Sequence, residues 1–459
     1  MTNVDAKSLC DAILSTLASL GLNCIIVAQC YDGASVMSGD VSGVQARLRE
    51  FHKSALYVHC YAHRLNLVIV DAAHHVQSAG EFFSVIEMLY VFLTRQKVHE
   101  VLIRRQVEQG LVVRELGRLS DTRWACRHRN ISMLRERYDV ILAVLDEVQK
   151  LNDAEIRTLS RGLLHELRSY HFVTNLTIFN MILSLSHGVN EALQSSMLNI
   201  SESNRLIIGL LTSLTELRND DTMWDNMWHD IDTTCKSQDI ELPTVRRRQA
   251  IRERPDMITY STTGRRDGAL PELSASLRVD LLIPALDRIL SELKRRFSDQ
   301  ALSVIGSVAS VLCPNSSQFF VFEDIRPLLS VYGDACGIDE SLLAAEMTVA
   351  LKLLKKQLGD DLPQNDLHTI LQLLTPSLAF PNLLKCVQVA LTIPVSSASC
   401  EWSFSALKLI KTYLRNRTED DRLSDLGTLF VHKERARALD RDKIIDIFAS
   451  RMGRHMQLN

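Results

Sequence analysis

The stretch "CIIVAQCYDGASVMSG", Cys24 to Gly39, decides how this chain is read. Cys24 to Gln29 is short, apolar and β-branched, with Gly21 before it and Asp32-Gly33 after it, which predicts a buried strand. Asp and Gly are ordinary turn formers. The carboxyl end of a buried strand is also where α/β sheets place their working groups. Asp32 is therefore either the residue that ends a strand or a carboxylate held for chemistry.

Upstream, Leu9, Ile13, Leu17 and Leu20 recur at helical spacing within Asp5 to Leu20. Downstream, Gly43 to Phe51 reads as a helix and Ala55 to Cys60 as a second short strand. Ala62 to Ala73 reads as a helix bearing Leu65, Val68 and Ile69. The order α-β-α-β-α predicts a layered α/β unit. From Glu81 onward the pattern turns almost wholly helical. In "NISMLRERYDVILAVLDEVQK", Leu134, Tyr138, Ile141, Leu142, Leu145 and Val148 form one apolar stripe. Leu286, Leu290, Leu293 and Phe297 repeat it in "ALDRILSELKRRF". Between these lies an arginine-rich stretch, Thr244 to Gly268, punctuated by Pro255 and Gly264, which reads as an exposed loop.

The bulk composition fits this mixture. The chain has 459 residues, of which 46% are hydrophobic and 6% aromatic, so a large core of two or three domains is expected, with helices favoured over a β-sandwich. A net charge of −3 means that any nucleic-acid contact has to come from local basic patches. The ten cysteines form no CxxC pair and no dense framework, the usage of a reducing compartment. The first residues lack the pattern of a secretory signal. No apolar run is expected to reach membrane-spanning length; "LNLVIVDAA" is interrupted by Asp71. These features predict a soluble intracellular protein with no membrane partner.

Four stretches taken together resemble the hAT superfamily of DNA transposases, and within it the host proteins related to zinc finger MYM-type proteins. They are "YDGASVMSGDVSGVQ", "HCYAHRLNLVIVD", "SDTRWACRH" and "PVSSASCEWSFSALKLIKTYLRNRTEDDRLSDLGTLFVHK". The resemblance implies an RNase H-like core interrupted by a large helical insertion, and a C-terminal segment that completes the core and dimerises. The expected fold class is thus α/β plus a large all-α insertion, helix-dominated overall. Residues 1–130 would hold the N-terminal part of the core, 131–380 the helical insertion, and 381–459 the rest of the core with the dimerisation region.

Nucleases of this type hold two divalent cations ~3.5–4 Å apart, and Mg²⁺ or Mn²⁺ there requires oxygen ligands, usually three carboxylates. By resemblance, Asp32 matches the second carboxylate and Glu401 the third. The first belongs on a strand well upstream of the "YDGAS" motif, where this sequence offers one helix and a few residues; Asp5 and Asp11 lie in that helix. The family usually has a basic residue after its glutamate, and here that position is Trp402. These departures favour a catalytically inactive protein that forms a homodimer or hetero-association through its C-terminal region, with residual DNA binding as a further expectation. The alternatives are an active metal-dependent transposase, if further chain precedes Met1, and a DNA-binding transcriptional regulator. The expected location is the nucleus.

The resemblance also sets His63 near a DNA strand and Trp124 at a DNA-end pocket. Arg123 and Arg127 beside that tryptophan, and Arg246, Arg247 and Arg248 in the arginine-rich loop, are the candidate phosphate contacts. For each, a solvated or core role is the plain alternative. Dimerisation is expected to draw on Trp402, Phe404, Leu407, Ile410, Leu414, Leu426, Leu429 and Phe430, with several of these serving as intramolecular core. Cys60 and His63 have no second ligand pair nearby for a structural zinc. "TEDDRL" offers a capping box of Thr418 with Asp421 at the start of the following helix.

Overall fold

A computed structural model describes residues 5–22, 25–118, 124–195, 198–242, 270–297, 301–375, 378–412 and 418–450. Side chains are not described at 124–125, 270–272, 301–303 and 309. Helices dominate. Among the described residues the sheet has two strands, β1 (Ala28–Tyr31) and β2 (Leu56–His59). They run parallel, with Ala28 opposite Leu56 and Tyr31 opposite His59. The chain falls into two compact units, Met1–Ser396 and Ser397–Asn459.

In the first unit, the helix Ala6–Ser19 precedes β1 and packs on the helix Val44–Phe51, with Cys10, Leu48 and Ala55 as a small core of their own. Asp5 caps the first helix by accepting the Ser8 N–H at 2.8 Å. A parallel pair needs a crossover, and Val44–Phe51 supplies it. The buried Gln29 of β1 donates to the carbonyls of Gln45 and Ala55, both at 3.1 Å, and so ties strand to crossover. Tyr61–His75 leads away from β2 and packs against Ile283–Arg296, whose Leu286, Leu290 and Leu293 are buried as the spacing requires.

The remaining helices of this unit share one continuous hydrophobic core. The stripe from Leu134 to Val148 is buried throughout, but two helices carry it, Trp124–Glu136 and Tyr138–Val148, broken at Arg137. Tyr170–Leu193 packs on Trp124–Glu136, Ile200–Asn219 and Asp221–Ser237. That 24-residue helix is long and apolar enough to cross a bilayer, contrary to the sequence expectation. Its apolar window is 61% buried against its neighbours, the pattern of a core helix. Further on, buried Glu346 of the helix Glu340–Leu358 reaches the start of the helix Pro381–Thr392. There its carboxylate accepts the N–H groups of Asn382 (2.9 Å) and Leu383 (2.8 Å) and the Asn382 side-chain amide (2.7 Å). Helix N-termini leave such donors without partners, and a carboxylate suits the positive end of the dipole.

In the second unit, Ala398–Ile410 packs on Asp420–Val431, and Lys433–Arg437 and Arg441–Ser450 follow. The expected capping box does not form as read. The helix starts at Asp420 with Glu419 at the cap position and no side-chain cap bond; Asp420 and Asp421 in its first turn favour the dipole instead.

Glu346→Ala leaves two backbone N–H groups buried without an acceptor and should destabilise the first unit by about 3 kcal/mol. Glu346→Gln keeps one acceptor oxygen and should recover part of that. Urea unfolding of the three proteins checks the order.

Candidate functional site

Both strands of the sheet end at the same place. The Cys60 N–H donates to the Tyr31 carbonyl (2.9 Å), which aligns the exits of β1 and β2. The Tyr61 N–H then donates to the carbonyl of Val395 (2.9 Å), so the "PVSS" segment returns to the strand ends from more than 300 residues away. The Cys60 thiol lies 3.8 Å from the Ser396 hydroxyl. Asp32 follows β1 directly. Its carboxylate accepts the Ala34 N–H at 3.3 Å, forming a turn ahead of the short helix Ser35–Ser38.

A ladder of rings runs beside this turn. Tyr31 stacks on Tyr57, Tyr57 on His59 and His59 on His63, with centroids 6.2, 6.5 and 5.6 Å apart. Gly33 is needed for the approach, since a Cβ there would lie 2.9 Å from the His59 ring. His59 Nε2 is buried without a hydrogen-bond partner. Burial, followed by the charges of Arg64, His63 and Arg296, lowers the His59 pKa to about 4. The imidazole is therefore neutral at physiological pH. Burial likewise raises the Tyr57 hydroxyl to about 12.

Within the first unit, the residues beside Asp32 offer few oxygen ligands for a hard cation. The charged groups that act on His59 beside this turn are Asp32 itself, His63, Arg64 and Arg296, and imidazoles and guanidinium groups are not the oxygen ligands that Mg²⁺ takes. Among the described residues no three His, Cys, Asp or Glu side chains converge as metal ligands. Glu401 is exposed in the first turn of Ala398–Ile410, in the second unit.

The candidate phosphate contacts separate. His63 is half-buried in the ring ladder. Arg127 is only 6% exposed, its guanidinium 4.5 Å above the Phe83 ring, so it serves the core and not a basic surface. Arg123, Arg246, Arg247 and Arg248 lie outside the described residues, as does the Trp124 side chain. Sequence reading missed a basic cluster nearer the strand ends: Arg64, Arg288, Arg295 and Arg296 gather along the paired helices Tyr61–His75 and Ile283–Arg296. Buried Glu292 holds three of them, at 3.6 Å (Arg288), 2.7 Å (Arg295) and 3.0 Å (Arg296). Arg288 also pairs with Asp71, and Arg64 lies 5.8 Å from the Phe297 ring centroid. The run "KRR" at Lys294 to Arg296 was its sequence signal.

The second unit sorts the candidate dimerisation residues. Trp402 and Phe404 are 61% and 66% exposed, and Leu429 and Phe430 are exposed as well. Leu407 and Leu426 are half-buried. Ile410 is only 8% exposed and is one of those that serve as intramolecular core. Leu414 lies outside the described residues. Leu409, Val431, Ile444, Ile445, Ile447 and Phe448 add to the exposed apolar surface.

Residues 366–434 match the hAT family C-terminal dimerisation region. The chain carries a hAT dimerisation region. The chain is also similar to the human "52 kDa repressor of the inhibitor of the protein kinase", at 23% identity over 446 residues, 92% of this chain and 55% of the relative. The mouse protein of the same name is 22% identical over 435 residues, 90% of this chain and 54% of the relative. The chain thus spans about half the length of these curated relatives. The hAT region begins before the helix Pro381–Thr392 and takes in Ala398–Ile410 and Asp420–Val431, so the exposed Trp402, Phe404, Leu429 and Phe430 all lie within it.

The pKa of His59 gives a pH prediction. The folded value lies near 4 and the unfolded value near 6.5, so the unfolded chain takes up this proton first as pH falls. Its contribution is intact above pH 6.5, erodes between 6.5 and 4, and levels off below. Denaturant titrations at several pH values across that window should give a shallower loss of stability for His59→Gln than for the unaltered chain.

Proposed function

We propose that this chain is a hAT-transposase-derived protein that acts by joining copies of itself through its C-terminal region, with a partial RNase H-like core kept as a scaffold. The observation that carries this reading is the group of large apolar side chains exposed on the helices of the matched dimerisation region, Trp402 and Phe404 foremost. Apolar patches of that kind mark association surfaces. The scaffold reading is supported by the return of Val395 and Ser396 to the ends of β1 and β2 across a long helical insertion. Loss of nuclease activity is supported by the residues beside Asp32, which offer few oxygen ligands for a pair of cations. The relatives are named as repressors of a protein-kinase inhibitor; a regulatory role exerted through protein contacts in the nucleus is consistent with that name.

Sedimentation of the purified chain at micromolar concentration should show a dimer, and the pair Trp402→Glu and Phe404→Glu should shift it to monomer at unchanged helicity. Ile410→Ala should instead lower thermal stability. A strict monomer before any substitution rules the reading out.

The basic cluster favours a second reading, contact with DNA backbone near the strand ends. Binding of a duplex in about 50 mM salt should weaken steeply as salt rises. Lys294→Ala with Arg295→Ala should flatten that slope, and a blank gel shift at low salt removes this reading.

A further inference from the structure

The match to the dimerisation region stops at residue 434, but the exposed apolar surface of the second unit does not. Leu429, Phe430 and Val431 end the helix Asp420–Val431, Leu439 lies further along, and Ile444, Ile445, Ile447 and Phe448 continue the run on Arg441–Ser450. That last helix is started by its own sequence. Asp440 accepts the N–H groups of Asp442 at 3.1 Å and Lys443 at 3.3 Å. The large apolar side chains then stand at i, i+1, i+3 and i+4, on one face, with Asp442, Lys443 and Asp446 on the other. Every residue of the helix is exposed, and on the apolar face Ile444, Ile445 and Ile447 are 47%, 56% and 51% exposed. Among the described residues no other helix packs along it. Helices this short are marginal in water on their own and are held by packing of their apolar face.

We infer that a second copy of the chain covers this face, so that the self-association surface runs past the matched region and takes in Arg441–Ser450, an inference that rests on the self-association reading and extends it. Continuity names the occupant. The exposed apolar residues cross the boundary of the dimerisation region without changing character, so the copy that covers Phe430 and Val431 is next in line for Ile444 and Ile445. A lipid surface fits less well. A helix that lies on a membrane carries mostly Lys and Arg on its polar face, whereas here Arg441 and Lys443 are matched by Asp442 and Asp446.

Ile445→Glu with Ile447→Glu replaces exposed side chains by a good helix former, so thermal unfolding of the chain should not change. Sedimentation should show the dimer dissociation constant raised at least tenfold. Ile445→Lys with Ile447→Lys should do the same, which separates lost apolar burial from added charge, and Asp446→Ala on the opposite face should leave the constant unchanged. Hydrogen exchange is the second readout: amides of Arg441–Ser450 should be protected in the dimer and lose that protection on dilution to monomer. An unaltered chain that is monomeric removes the self-association reading and this inference with it. A dimer whose constant moves less than tenfold in either double variant, or whose terminal helix exchanges equally in dimer and monomer, overturns this inference and leaves that reading standing.

Discussion

The two-stranded sheet is the constraint on which the first unit depends. Two strands of four residues bury too little surface to stand alone, so distant segments must complete their surroundings. Tyr332 does this from the helix Arg326–Cys336, its buried hydroxyl donating to the Val27 carbonyl at 2.9 Å just before β1. Val395 does it at the other end through Tyr61. Loop closures this long are entropically costly, and they are offset by the continuous core of the helices between. The sheet therefore positions the Asp32 turn and the ring ladder only because the helical core holds its distant partners in place.

The two units put their apolar residues to different use. In the first, the stripes at Leu134 to Val148 and Leu286 to Leu293 face inward, and Ser160 among them is matched by the Leu145 carbonyl. In the second, helices of similar composition leave Trp402, Phe404, Ile445 and Phe448 more than half exposed. Periodicity alone does not distinguish these cases, because a stripe that faces a core and one that faces a partner obey the same 3.6-residue spacing.

That difference governs how much was legible beforehand. The helices were readable from their stripes, and the strands from short β-branched runs bounded by turn residues. β1 nevertheless pairs over Ala28–Tyr31, later than the apolar run suggests, because its register is fixed by Leu56–His59 and not by its own residues. The break at Arg137 was hidden because Leu134 and Tyr138 keep one face across it. At the site, Asp32 at the end of a strand was visible from sequence, whereas the neutral state of His59 was not. It arises from burial and from arginines as distant in sequence as Arg296. Arg127 looked like a surface cation because nothing local shows that Phe83 lies under it.

The Glu346 cap bears on where the dimerisation region ends as a physical object. The family match opens at residue 366, yet the carboxylate that terminates the helix Pro381–Thr392 comes from twenty residues before that boundary. A fragment cut to the family limits would begin with its first long helix stripped of its anionic partner, its leading amides left to water. Modular by descent, the region is grafted by one side chain onto the chain ahead of it. Heredity and folding therefore draw different borders through the same stretch of polypeptide.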